Sequence, residues 1–473
     1  MGTNEAGSRT GDGVNFVNLP DIPENRVRDR KLTKLTPSPI RFEGSVPRLA
    51  VERKTLACGL DVIVHRDTSA PQVAVSVWYR VGSSDERPEL TGFAHLFEHL
   101  FKNSLHMPAH HYEILRRAGV SDANASTGTD RTAYHEVVPS NELNLGLWLE
   151  SDRMGYFWPA FEEERLVVQQ SVVRAERRQR YEDVPYGPER FAVARALYPE
   201  GHPHRYLTIG LHEHIQGATV DDVAAFYRTW YVPANATLVI AGDVDSAHAF
   251  AQVDRYFGSF PGSQRPQRPE VPAVVLAAPV RERVDDKFAA IPRIHRAWHG
   301  PHAFAADEAE LDILTAAWCA VGTGALWRRL VYETQLAQRV SAWTVNSRLG
   351  GEVHVAVDLR TGADPAAVRA ILDEECVRGV DDAAIVRAET RREAGAIWSL
   401  TGLAKRASML QRYALYTEDP DGLAADLARY RAVTPESVRA ALARWIDPAR
   451  MVEIETVPAT SRGSGPSASS DPS

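Results

Sequence analysis

His95, Glu98 and His99 stand within five residues of one another, in the run Gly92-Phe93-Ala94-His95-Leu96-Phe97-Glu98-His99-Leu100-Phe101. On a helix, residues one turn apart project on the same side, so the imidazoles of His95 and His99 can reach one ion. Glu98, three residues after His95, lies beside them and can hold a water at that ion. Leu96, Phe97, Leu100 and Phe101 bury the rest of the helix and keep the site dry. The competing reading is a pair of core histidines satisfied by backbone carbonyls. Burying two histidines and a glutamate in an apolar helix without a compensating ion is costly, which favours the metal.

A zinc site for hydrolysis needs a third protein ligand and an open position. The segment 162–178 has helical spacing, with Glu162, Glu163 and Glu164 crowded at its polar start. Glu176 stands apart from them. It follows Val172 and Val173 by one turn and Val168 by two, so the pattern sets it along an apolar stripe, where a carboxylate needs a cation. The alternative for Glu176 is a solvated helix acid among Arg174, Arg177 and Arg178. His110-His111 and His202-Pro203-His204 lack nearby acids and read as surface residues. Cys58, Cys319 and Cys376 are odd in number and scattered, so they supply neither a disulfide framework nor a Cys-x-x-Cys metal site. They read as small buried side chains in a reducing cytoplasm.

The elements that must position these residues belong to a chain of 473 residues, long enough for roughly two to four domains. With 54 Lys+Arg against 62 Asp+Glu the net charge is −8, which gives no nucleic-acid footprint. No run approaches the ~18 apolar residues of a membrane span, and the first forty-odd residues hold no secretory signal. Strands are expected over 55–64 and 72–81, a hairpin from Asn124-Ala125-Ser126-Thr127 to 132–138, and helices over 91–102, 143–154 and 162–178. Thr219, Val223, Trp230 and Pro233 recur as Thr434, Val438, Trp445 and Pro448, all at one offset of 215. Four landmarks at one offset favour a duplicated domain. The expected organisation is an N-terminal tail (1–45), an α+β domain carrying the histidines (46–260), a Pro/Gly-rich linker (261–280), a homologous α+β domain (281–458) and a disordered tail (459–473). Each domain is expected to be a largely antiparallel sheet with helices packed on it.

His95-x-x-Glu98-His99 followed by Glu176 resembles the inverted zinc motif of the pitrilysin, insulysin and mitochondrial processing peptidase family. Val81-Gly82-Ser83-Ser84-Asp85-Glu86 before the motif, and Trp148-Leu149-Glu150-Ser151-Asp152-Arg153-Met154, Glu176-Arg177-Arg178-Gln179 and Pro185-Tyr186-Gly187 after it, continue the likeness over about 46–455. The resemblance implies a zinc endopeptidase with one Zn²⁺ per chain held by His95, His99 and Glu176, with Glu98 as general base. It also implies that Asn124, Ala125, Ser126 and Thr127 form an edge strand that pairs with an extended peptide substrate. Gln169 departs from the pattern, since many relatives carry a second Glu there. In the second half the stretch 311–330 contains no His and one acid, Asp312, and so offers no second site of this kind. Active bacterial relatives also use an Arg and a Tyr from a second-half domain; here the matching positions are Ala325 and Gln338. A homologous partner subunit supplying that Arg and Tyr is therefore expected. The rival readings are a non-catalytic core or scaffold subunit and a peptide-binding module of the same fold.

Overall fold

The computed structural model describes residues 48–101, 104–107 and 111–459, with the side chains of His111 and Tyr112 left aside. The expected tails, 1–45 and all of 459–473 but Ala459, and the His110-His111 pair lie outside these described residues or side chains. Eleven strands are described: β1 (Glu52–Thr55), β2 (Asp61–Arg66), β3 (Gln72–Tyr79), β4 (Asp122–Thr127), β5 (Thr132–Pro139), β6 (Ala236–Gly242), β7 (Val280–Asp286), β8 (Arg293–Gly300), β9 (Ala337–Ser347), β10 (Gly350–Leu359) and β11 (Val452–Pro458). They form a six-stranded sheet in the order β1-β2-β6-β3-β5-β4 and a five-stranded sheet in the order β7-β11-β8-β10-β9. In each sheet one pair is parallel, β2 with β6 and β11 with β7, and every other pair is antiparallel. Without β1 the two orders are the same, so the repeat read from the landmarks at offset 215 reaches the strand topology. The fold is α+β, with two homologous sheets.

One expected strand is divided. The run 55–64 is broken after Thr55, where Gly59 takes φ +93 and the chain turns back, so that Thr55 opposes Asp61. Apolar side chains at Leu56, Cys58 and Leu60 kept the pattern looking continuous, because the turn itself is buried.

The halves exchange helices. The helix Gly187–Leu197, from the first half of the chain, sets Ala192, Val193 and Leu197 against Ala297, Val452 and Ile454 of the second sheet. The helix Leu403–Tyr416, from the second half, sets Ala407, Leu410 and Ala414 against Ile63, Ala74 and Val239 of the first. Gln411 on that helix donates from Nε2 to the carbonyls of Ser76 and Thr237 at 2.8 and 2.9 Å. Packing therefore crosses the 261–280 segment, which runs without regular structure until β7 begins at Val280. No helix among the described residues is long and apolar enough to cross a membrane.

Candidate metal centre

The motif helix spans Phe93–Leu100 and buries Phe93, Ala94, Leu96, Phe97, Glu98 and Leu100. Gly92 begins it with φ +81, and a Cβ there would lie 2.6 Å from the Ile209 carbonyl oxygen and 2.7 Å from Gly210 Cα. Only glycine lets the segment around Gly210 pass so close to the helix start. The first turn is capped from a distance. The Gly92 and Ala94 N–H groups donate to the two carboxylate oxygens of Glu86 at 2.8 and 2.7 Å. Glu86 is half-buried as a residue, yet loss of water around its carboxyl pushes it up to about 8, against the two backbone donors that hold it down. Phe97 and Phe101 pack on Tyr231 at ring-centre distances of 4.0 and 4.8 Å and fix the helix from behind.

These constraints leave His95 and His99 on one side, with ring centres 4.8 Å apart. The helix Glu163–Arg177 lies across them. Glu176 Oε2 stands 3.8 Å from His95 Nε2 and 3.3 Å from His99 Nε2, and one atom of each of the three residues lies within 4.8 Å of the others. Ligand atoms ~2.0–2.1 Å from a tetrahedral zinc stand about 3.3–3.4 Å apart, so the donor set and its spacing fit that ion. Among the described residues this is the one His/Cys/Asp/Glu group so placed. Glu162, Glu163 and Glu164 lie at the far end of the same helix, exposed.

The expected apolar stripe leading to Glu176 is corrected. Val168 and Val172 are 56% and 43% exposed, whereas Leu166, Val173 and Arg177 face inward. Successive helix positions turn by 100°, and the packed stripe runs through Leu166 and Val173, so Glu176 sits at its flank rather than in line with Val168. Past Arg177 the helix widens into a π turn, Arg178–Glu182. That turn brings Arg180 Nη1 to 2.8 Å from Glu176 Oε1, leaving Oε2 towards the histidines.

Glu98 is buried and its Oε2 accepts from Thr127 Oγ1 at 2.7 Å. Thr127 ends β4, which has a single strand neighbour, β5, and so forms the sheet edge. The Gly128 N–H donates to the Arg131 carbonyl and closes the hairpin. Because ladder bonds alternate along an antiparallel pair, Asn124 and Ser126 turn their backbone to β5, while Ala125 and Thr127 turn theirs to the open edge. The residues named from the sequence thus meet in one place. Glu86, Arg180 and the hydroxyl of Thr127 were not singled out for this site; Glu86 reaches the helix from a preceding loop, outside the usual capping positions, so spacing alone carries no signal of it. His202 and His204 lie elsewhere and are not the surface residues expected: His202 is buried and stacks on Tyr198, half-buried His204 meets the same ring edge-on, and the His202 Nδ1 accepts the His204 N–H at 3.1 Å.

Residues 61–185 match the family model described as insulinase, peptidase family M16, and residues 217–388 match that of the peptidase M16 inactive domain. Zinc protease PqqE of Helicobacter pylori is 33% identical over 212 residues, covering 44% of this chain and 47% of that protein. Mitochondrial-processing peptidase subunit beta of Lentinula edodes is 27% identical over 219 residues, covering 46% of each. The chain spans about half the length of the curated relatives it matches. The crystal structure of a protease from Helicobacter pylori superposes with a TM-score of 0.80 at 22% identity, over 86% of this chain and 100% of that one.

Proposed function

Because the chain belongs to the peptidase M16 (insulinase) family, we propose that it is a zinc-dependent endopeptidase acting on peptides or unfolded segments. The observation that carries this reading is the convergence of His95, His99 and Glu176 beside a buried Glu98 that is tied by Thr127 to an open sheet edge. His95, His99 and Glu176 would hold the zinc, which would supply Lewis acidity and lower the pKa of a water towards ~7. Glu98 takes the water proton on its carboxylate and passes it to the leaving amine; general-base help of this kind contributes typically 10²–10⁴-fold. The edge of β4 aligns the peptide by main-chain hydrogen bonds through Ala125 and Thr127. The three cysteines, all free, support a reducing cytoplasmic setting.

The active form in this reading is a heterodimer. Ala325 opens a short helical turn and Gln338 is exposed on β9, so neither supplies the Arg or Tyr of active relatives. The two arginines beside Ala325 are engaged: Arg328 with Glu333 at 3.1 Å, and Arg329 with Glu374 and Glu375 at 2.6 and 2.8 Å. A homologous partner that keeps both groups completes the site; loss of one such donor commonly costs 10²–10³-fold. Activity is assayed on one peptide set with the chain alone and with a co-expressed homologue. A large gain on mixing, abolished by Glu98→Gln, supports the heterodimer, and equal rates overturn it. A chain that binds zinc and peptide without turnover in either sample is a peptide-binding module instead, and one that binds no zinc is a core subunit.

A further inference from the structure

The two sheets share an order, and each places a helix and an edge strand around one position. In the first half that position is the candidate metal centre. In the second it is a cavity of about 940 Å³, between the helices Glu308–Cys319 and Asp382–Ser399 and the edge strand β9, reaching Trp78 and Arg131 of the first half. Counted from the residues that cap the two helices, Glu162 and Asp381, Arg391 stands one turn before the place that corresponds to Glu176.

The charge of the cavity wall follows from its pairings. Its two carboxylates, Asp312 and Asp426, are already engaged. Asp312 accepts from Thr344 Oγ1 and, at 2.6 Å, from Tyr430 OH, with Arg392 at 3.9 Å. Asp426 holds Arg429 at 2.8 Å and accepts from Tyr413 OH at 3.1 Å. Among the described residues, Arg131, Arg391 and Lys405 pair with no carboxylate and line the same space. Arg131 lies over the Trp78 ring at 4.5 Å and donates to the Ser126 carbonyl at 2.9 Å. Ser126 adjoins Thr127, the residue that holds Glu98, so the cavity begins where the open edge of β4 ends. A positive, partly enclosed cleft concentrates anions, and its volume suits a few residues of chain.

We propose that this cavity is a subsite for an acidic segment of the peptide, entered by chain that continues past the β4 edge. Continuity with a strand edge favours a polypeptide over other polyanions. The inference rests on the peptide-pairing reading above and adds a charge preference to it.

The test measures binding rather than turnover. Labelled peptides share a central sequence and carry four Glu or four Gln at the N-terminal or the C-terminal end. Their Kd values are measured by fluorescence anisotropy on zinc-loaded Glu98→Gln protein, with and without Arg391→Ser and Lys405→Ser; both cations are exposed and unpaired, so the fold is kept. The Glu version at one end should bind about five- to tenfold tighter than its Gln twin at low salt, and the double substitution and added salt should each erase the difference. Equal Kd values for the twins at both ends, or an undiminished preference in the double variant, overturn the subsite while leaving the peptidase reading intact. A charge preference in a protein whose wild type hydrolyses nothing, alone or with a co-expressed homologue, keeps the subsite and removes the peptidase. No binding by any peptide overturns both.

Discussion

The helices Phe93–Leu100 and Glu308–Cys319 occupy the same place in two sheets of the same order, and they spend it differently. Each starts from a residue in the left-handed region, Gly92 at φ +81 and Asp307 at φ +69. Each is tied at its start by a glutamate: Glu86 accepts from the Gly92 and Ala94 N–H groups, and Glu308 accepts from the Phe304 N–H at 2.6 Å while holding Arg429 at 2.9 Å. Counted from the first residue, His95, Glu98 and His99 are answered by Glu310, Ile313 and Leu314, the last two fully buried. In the proposed reading the first position carries chemistry because its polar groups share an ion, whereas in the second Ile313 and Leu314 make it core.

The largest expected effect separates these two uses. Glu98→Gln should lower peptide hydrolysis by at least about 10²–10⁴-fold while zinc content and melting temperature stay at wild-type values. Leu314→Ala should do the reverse: about 2–5 kcal/mol of stability lost by denaturant unfolding, with the rate of the remaining folded protein kept. Similar hydrolysis by Glu98→Gln and wild type would make Glu98 a packing residue like its counterpart and end the contrast.

Metal content sharpens the comparison next. Glu176→Ala should take bound zinc from about one per chain to a small fraction, since two imidazoles alone do not complete the three-ligand set. Glu163→Ala, on the same helix but exposed at its far end, should leave zinc unchanged. Full zinc occupancy in Glu176→Ala, measured by elemental analysis, would remove the third ligand.

The histidines, Glu98, Glu176 and the β4 hairpin were legible because each belongs to a local pattern: a one-turn spacing, an acid away from its polar neighbours, a turn between two short strands. The route to Glu176 was less legible. Val168 and Val172 look like a buried stripe in the sequence, yet they are exposed, because burial on that helix is decided by Leu166 and Val173 against the neighbouring helices. The helix exchange was not legible at all. Gly187–Leu197 and Leu403–Tyr416 have the composition of ordinary amphipathic helices, and nothing in a periodicity says which sheet the apolar face will meet.

Arg180 gives a smaller effect. It orients Glu176 by one ion pair at 2.8 Å, but its side chain is 70% exposed, so solvent weakens the contact. Arg180→Ala should weaken zinc binding by about three- to tenfold, at or below the low end of what outer partners of metal ligands contribute, because the pair is solvated. Competition with a chelator of known affinity measures it. A loss as large as that of Glu176→Ala would make Arg180 a structural support of the whole helix end rather than an orienting partner.

The smallest effect concerns the polar anchors of the exchanged helices. Gly187–Leu197 is held to the second sheet by Glu189, which accepts from Thr456 Oγ1 at 2.7 Å and lies 2.8 Å from His295 Nδ1. Leu403–Tyr416 is held to the first half by Arg406, which donates to Asp67 just beyond β2 and to the Leu400 carbonyl. The Arg406 guanidinium, helped by the Ser69 N–H, lowers Asp67 from its ordinary value of 3.8 to about 2. A lowered carboxyl releases its proton more readily in the folded state, so the pair stabilises the fold fully above pH ~4 and loses that contribution as pH falls towards 2. Asp67 is partly solvated, so the pair is worth about 1 kcal/mol rather than the full value of its shift. Asp67→Asn should therefore unfold at lower denaturant concentration than wild type at pH 7 and at pH 5, by the same margin, and the margin should close between pH 4 and 2. An unchanged margin across that range would assign the effect to the shape of the contact rather than to its charge.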